Sequence, residues 1–254
     1  MEILKSFLLA FVQSATEFLP ISSSGHLVIF GSFLKPEISS FLLFTITLHC
    51  GSLLAIIFYF RKRIKELILL KNLKLLAFII LSSIFTFFIA YPLHDYVEKL
   101  VSSPSKAGKA MLINGLILAT LFLKKGKEGR EIDFIRAVII GIAQGIAVVP
   151  GISRSGITIT SALHLGIKEN LAFEFSFLLS IPAIAGAQLL ESLKTGFPQS
   201  GEKGMYLPGF IFSILFSFLF LKLMEKLVVK GWFKYFSLYS LFMGFVVTFL
   251  LSIS

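Results

Sequence analysis

The chain is poor in charge and almost without cysteine. Asp, Glu, Lys and Arg make up 15% of its 254 residues, where a soluble domain carries about a quarter. Only 14 residues are acidic, while 56% are hydrophobic and 29 are phenylalanine. So little charge cannot cover so much apolar side chain in water, which excludes a cytosolic enzyme. It equally excludes a disordered chain, which needs low hydrophobicity. The single cysteine, Cys50, sits inside an apolar run and excludes a disulfide scaffold. What is present instead, a mean hydropathy of +0.89, implies an integral membrane protein, and the length of its apolar runs makes the expected class all-α.

The net charge of +10 would suggest nucleic acid in a soluble protein. In a membrane protein it reads as basic loops that fix topology, and no nucleic-acid partner is expected. The first 18 residues lack a small-residue cleavage pattern and read as mature structure rather than a signal peptide. A membrane span needs about 20 apolar residues. Ser40–Phe60, Leu75–Tyr91, Leu171–Leu190, Tyr206–Leu227 and Tyr235–Ser252 qualify or nearly do, and Ala110–Leu123 needs help from the residues before it. Ile3–Leu19 and Ile132–Val149 are each followed by a Pro/Gly/Ser-rich break and a short apolar stretch, His26–Leu34 and Ile157–Gly166. Each pair reads as a re-entrant hairpin, because broken backbone at membrane depth survives only inside protein or beside a water-filled cavity. Arg61–Lys74, Lys124–Arg136, Lys222–Lys234 and Lys168 together hold 16 of the 24 basic residues. Placing them in the cytoplasm gives six spans, two hairpins entering from opposite faces, and both termini outside.

Halves of opposite orientation predict an inverted-topology duplication. Phe11–Gly25 aligns without a gap over Ile142–Gly156, 131 residues apart, and pairs Gln13 with Gln144, Ile21 with Ile152, Ser22 with Ser153, Ser24 with Ser155 and Gly25 with Gly156. The same offset lays Phe44 over Phe175. The expected organisation is one membrane domain, 1–254. Residues 1–123 form the first repeat with a hairpin at about 3–34, and 132–252 the second with a hairpin at about 132–166.

Hairpins from opposite faces meet near the midplane, where ionisable groups are costly and mark function. Their breaks bring Gln13, Glu17, Ser22, Ser23, Ser24 and His26 towards Ser153, Arg154, Ser155 and Thr158. Arg154 offers a planar fork of donors for phosphate or carboxylate. Serine hydroxyls and the N–H groups around Gly25 and Gly156, opening into helices, suit an anion. Two facing cradles suit a diphosphate. Gln13 and Glu17, four apart, share a helix face that can hold a divalent cation or orient water. His26 can act as acid, base or nucleophile. Plainer roles stand beside these. A lone membrane serine ordinarily bonds back to its own helix, Glu17 can serve only to pair with Arg154, and His26 can cap a helix. His49 and Cys50 read as packing. Glu174 either orients Arg154 or snorkels to the boundary, and His94 and His164 read as loop and helix-end residues.

The segments Gln13–His26 and Pro150–Thr158 resemble the two signatures of the undecaprenyl-pyrophosphate phosphatases, the bacitracin-resistance family. Phe173–Pro182 and Gly51–Ala55 also look like that family, and the likeness runs over nearly the whole chain. The resemblance implies hydrolysis of undecaprenyl diphosphate to the monophosphate and phosphate, which recycles the lipid carrier for peptidoglycan and gives bacitracin resistance. It implies a multi-pass protein of the bacterial inner membrane, a divalent cation (Mg²⁺ or Ca²⁺), and a site reached from the external face. Position by position, Glu17 is the signature carboxylate, and Gln13 takes the Glu-or-Gln place as a metal ligand beside it. Ser23 and His26 match the two residues proposed as nucleophile. Arg154 matches the phosphate-binding arginine, with Ser22, Ser24, Gly25, Ser153, Ser155, Gly156 and Thr158 around the phosphates. Many members carry Glu and Gln where this chain has Thr45 and His49.

The expected chemistry is phosphoryl transfer, with Arg154 and a metal neutralising the equatorial oxygens. Ser23 or His26 attacks or activates water, an attack by Ser23 with His26 as its base suiting both residue types, and Glu17 holds the metal or serves as base. A transporter or flippase of a polyprenyl phosphate lipid is the alternative, because inverted repeats with broken midplane helices are a transporter architecture. The expected partners are the polyprenyl diphosphate and membrane lipids, with a homodimer left open. Charges at depth disfavour a purely structural scaffold.

Overall fold

A computed structural model describes residues 2–27, 41–101, 104–124, 129–195 and 203–249. The far half of the first hairpin, 28–34, lies outside the described residues. The helices are α1 (Glu2–Phe18), α2 (Phe41–Tyr59), α3 (Arg61–Ile68), α4 (Leu73–Val101), α5 (Pro104–Ala119), α6 (Phe134–Ile146), α7 (Arg154–His164), α8 (Glu169–Thr195), α9 (Lys203–Val229) and α10 (Phe236–Phe249). Residues 23–27 are also helical. Among the described residues there are no strands beyond a single bridge between Arg130 and Ile167.

Among the described residues four helices are long and apolar enough to cross a membrane: Phe41–Tyr59, Leu73–Leu93, Glu169–Leu193 and Gly204–Val229. The protein is therefore an all-helical membrane protein. Several of these helices outrun the apolar stretches that predict them. α4 continues through Pro92 and α8 through Pro182, because neighbouring helices can satisfy the backbone groups a membrane proline frees. Phenylalanines serve two environments. Phe18, Phe173, Phe175 and Phe177 are buried, while Phe88, Phe242 and Phe245 face outward, as lipid allows.

Helix partners cross between the two halves of the chain. α1 packs on α9, α6 packs on α4, and α5 pairs with α10. Small and hydroxylated residues allow this closeness, as in membrane bundles generally. On the first seam Ser14 donates to the Ser213 carbonyl (3.2 Å) and Ser217 donates to Ser14 (3.0 Å), while Ser213 also ties α9 to α2 by donating to the Leu48 carbonyl (2.6 Å). On the second, Ser82 donates to the Ala137 carbonyl (2.7 Å) and Thr86 lies 3.0 Å from the Gly141 carbonyl. A Cβ on Gly141 would fall 2.5 Å from the Ser82 carbonyl oxygen, so this contact admits only glycine.

The two breaks have different constructions. α1 stops at Phe18, and the chain turns through Ser22, whose φ of 70° is left-handed. α6 stops at Ile146, and Gly151 turns at φ 102° before Ser153 caps α7. Any side chain at position 151 would also strike α5, 2.5 Å from the Ala107 carbonyl oxygen.

Candidate active site

The breaks are sewn together by polar bonds. The Gly151 N–H donates to Ser22 Oγ (3.1 Å). Asn114, buried on α5, donates to the Pro20 carbonyl (2.9 Å) and accepts from the Ser153 N–H (3.0 Å). One side chain thus holds the first break to the second. The Ser153 hydroxyl accepts from the Gly156 N–H (3.1 Å) and starts α7, which sets where Arg154 emerges.

Arg154 reaches across to α1, and its Nη2 donates to Glu17 Oε1 (2.8 Å). Both side chains are largely buried, 14% and 8% exposed. The guanidinium lies over the Phe177 ring, 5.5 Å from its centroid, a favourable seat for Arg. Its Nη1 is buried with no partner among the described residues, and such a donor asks for an acceptor. Ser23 donates to the other Glu17 oxygen at 2.8 Å, and the Gln13 amide nitrogen lies 3.4 Å from it. Glu17 therefore gathers Arg154, Ser23 and Gln13 around one carboxylate.

His26 is held elsewhere. Its Nδ1 lies 2.7 Å from the Ser22 carbonyl, so that nitrogen carries the proton. Its Nε2 lies 2.8 Å from the Tyr239 hydroxyl of α10. Ser23 meets Glu17, and His26 meets Ser22 and Tyr239. Among the remaining expected phosphate ligands, Ser24 is exposed, while Gly25 and Gly156 are buried. Ser155 is buried against Ser153, their hydroxyls 3.2 Å apart. Thr158 bonds back to the Arg154 carbonyl (2.7 Å) and meets Ser176 of α8 (2.6 Å).

Two readings change. His49 is no packing residue, because its Nδ1 accepts from the Gln13 amide at 2.8 Å and lies 3.6 Å from Glu17. A single histidine in an apolar run gives no sign of this. Only the packing of α2 on α1 does. Glu174 does not orient Arg154. It accepts from Arg63 Nε (2.6 Å) and Nη2 (3.3 Å) of the basic segment, and that hydrogen bonding, with Glu66, raises the Arg63 pKa. Cys50 is half-buried beside an apolar cluster, in keeping with packing. His164 meets Thr120 at 2.7 Å. Asn114 and Tyr239 join the site without any local sequence signal.

A cavity of about 570 Å³ opens from this cluster. Glu17, His49 and Arg154 line it together with Thr86, Phe87, Tyr91, Gln144, Ile184, Ala187 and Leu190, between α4, α6 and α8. It is charged at one part and mainly apolar beyond, the shape of a site for an amphiphile with an anionic head.

For a divalent cation, Gln13 Oε1 is buried with no partner among the described residues, but the amide turns its nitrogen and not this oxygen to Glu17 (3.4 Å). Glu17 is the carboxylate beside it. Among the described residues no three His, Cys, Asp or Glu side chains gather as a metal cage. Mg²⁺ ordinarily takes one or two carboxylates and draws its remaining ligands from water and substrate phosphate. Glu17 fits the protein's share of such a set, while Gln13, its amide nitrogen turned to Glu17 and His49, does not join it in this arrangement.

Residues 6–246 match the model of the family described as bacitracin resistance protein BacA. An undecaprenyl-diphosphatase of Desulforapulum autotrophicum is 37% identical over 273 residues, covering 97% of each chain. One from Carboxydothermus hydrogenoformans is 38% identical over 253 residues, covering 94% of each chain. One from Methanococcus vannielii is 36% identical over 250 residues, covering 93% of this chain and 95% of that one. With the family model spanning nearly its whole length and these relatives matching end to end, this chain belongs to the bacitracin resistance protein BacA family.

Proposed function

We propose that this chain hydrolyses undecaprenyl diphosphate to undecaprenyl phosphate and inorganic phosphate, recycling the lipid carrier of peptidoglycan synthesis and giving bacitracin resistance. The observation that carries the proposal is the Ser23–Glu17–Arg154 chain, whose Glu17 and Arg154 line the charged part of an apolar cavity. The prenyl tail lies between α4 and α8, and the diphosphate lies against Arg154 and the two breaks. Arg154 Nη1 donates to a terminal phosphate oxygen and stabilises the charge that develops there. Ser23 Oγ attacks that phosphorus and its proton passes to Glu17, the acceptor already bonded to it. The P–O bond to the inner phosphate breaks, and undecaprenyl phosphate leaves. Water then opens the phosphoserine. His26 holds Ser22 in its left-handed turn and thereby places Ser23. A divalent cation, when bound, would be held on the protein by Glu17 and would further neutralise phosphate charge.

The organisation proposed is an inverted repeat of six spans and two re-entrant hairpins. It is supported by the crossed partners α1–α9 and α6–α4, and by the 131-residue offset, which also relates Ser82 to Ser213 and Thr86 to Ser217 on the two seams. We place the protein in the inner membrane with its site open to the external face. The cavity lining runs from Ser83 to Tyr91 along α4 and from Pro182 to Glu191 along α8. Both helices run there away from their ends near the basic Arg61–Lys74 segment, which belongs in the cytoplasm.

The test is phosphate release from purified protein in detergent, with a prenyl diphosphate and Mg²⁺ or Ca²⁺, with and without chelator. Turnover is expected, lost with chelator and lost in Arg154→Ala. Arg154→Lys is also expected to be impaired, because a point charge does not reproduce the fork. No phosphate release with any cation, alongside transfer of labelled lipid across liposomes, refutes the proposal.

A further inference from the structure

The ring of His49 is fixed in one tautomer by geometry. Its Nδ1 lies 2.8 Å from the amide nitrogen of Gln13, and an amide nitrogen only donates. The Glu17 oxygen 3.4 Å from the same nitrogen keeps the amide turned that way, since the amide oxygen there would face a carboxylate. Nδ1 is therefore the acceptor, and the ring proton sits on Nε2. Nε2 makes no hydrogen bond to a described residue, and the ring lines the cavity beside Glu17 and Arg154. Thr45, one turn earlier on α2, turns its hydroxyl back to the Phe41 carbonyl (3.0 Å). His49 is thus the side chain of α2 that offers an N–H to the cavity.

From this geometry we infer that His49 is a substrate-binding residue, whose Nε2–H donates to an oxygen of the bound diphosphate beside Arg154. The inference deepens the phosphatase reading and rests on it. Arg154 Nη1 and His49 Nε2 are then two unengaged donors on different helices, one charged and one neutral, converging on the same anion. Gln13 holds His49 through its amide nitrogen. The contact forms with the substrate already bound and persists through transfer, so its loss weakens binding more than turnover.

The experiment measures binding of a prenyl methylene-bisphosphonate, whose P–C–P bridge cannot be split, by calorimetry in detergent with Mg²⁺. Phosphate release is measured in parallel. A hydrogen bond to a charged acceptor corresponds to a change on the order of 30-fold. His49→Leu is expected to weaken the bisphosphonate by about that factor, raise KM similarly and leave kcat within about 3-fold. His49→Gln, which carries an amide N–H at similar reach, is expected to recover most of that affinity. Where His49→Leu does not accumulate in the membrane, His49→Ala takes its place with the same expectation. Unchanged binding in His49→Leu overturns the inference while leaving the phosphatase reading intact. So does a His49→Gln variant that binds the bisphosphonate no better than His49→Leu, because an amide N–H at similar reach would then not restore the contact. Wild-type protein that neither binds the bisphosphonate nor releases phosphate overturns both.

Discussion

Asn114→Ala is the substitution that most directly tests how the site is held. Asn114 is 1% exposed and makes three bonds: to the Pro20 carbonyl (2.9 Å), to Ser240 Oγ (3.1 Å) and from the Ser153 N–H (3.0 Å). Alanine leaves the Ser153 N–H without its partner. The Pro20 carbonyl keeps only Ser240 Oγ, at 3.4 Å. A buried group left unsatisfied costs about 1–3 kcal/mol, while an interhelical bond in a membrane averages only about 0.6 kcal/mol. One orphaned donor and one weakened acceptor then sum to about 2 kcal/mol, visible as a lowered unfolding midpoint in detergent. Turnover should fall further than this stability loss explains, because Ser153 caps the helix that begins with Arg154. Asn114→Asp is expected to be worse than alanine. Its carboxylate still accepts from Ser153 but faces the Pro20 oxygen without a proton to donate. An Asn114→Ala protein with unchanged midpoint and kcat would refute the view that this residue clamps the two breaks.

Gly141→Val should force α6 away from α4, since its Cβ would fall 2.5 Å from the Ser82 carbonyl oxygen. Overpacking of this kind costs about 1–3 kcal/mol, read as loss of folded protein in detergent. Ala187→Trp fills the cavity beyond the charged cluster. It should lower kcat/KM for a long prenyl diphosphate by about tenfold or more while a short-chain substrate is spared, which a chain-length series of phosphate release checks. Tyr239→Phe removes the partner of His26 Nε2. It should lower stability by about 1 kcal/mol and leave kcat within about threefold, because Ser23 bonds to Glu17 rather than to His26.

How far the sequence is legible depends on the range over which each residue acts. The helix breaks are local matters. Serine, proline and glycine at 20–25 and 150–156 interrupt apolar runs, and the structure turns at Ser22 and Gly151. The meeting of Glu17 with Arg154 is long-range, yet it was expected from a local argument, because two costly charges at membrane depth have few other places to go. His49, Asn114 and Tyr239 lack that argument. Each is neutral and common enough in a helix, and each gains its role from a partner far along the chain: Gln13 for His49, Pro20 and Ser153 for Asn114, His26 for Tyr239. Glu174 shows the converse. Its charge draws attention to membrane depth, but its partner is Arg63, at the basic end of the helix pair. A carboxylate near a span boundary settles with the nearest arginine, and which one is nearest depends on packing between α2, α3 and α8. Charge at depth is therefore a sound guide to which residues matter at a membrane site. The neutral side chains that orient them become visible only once the helices are placed against each other.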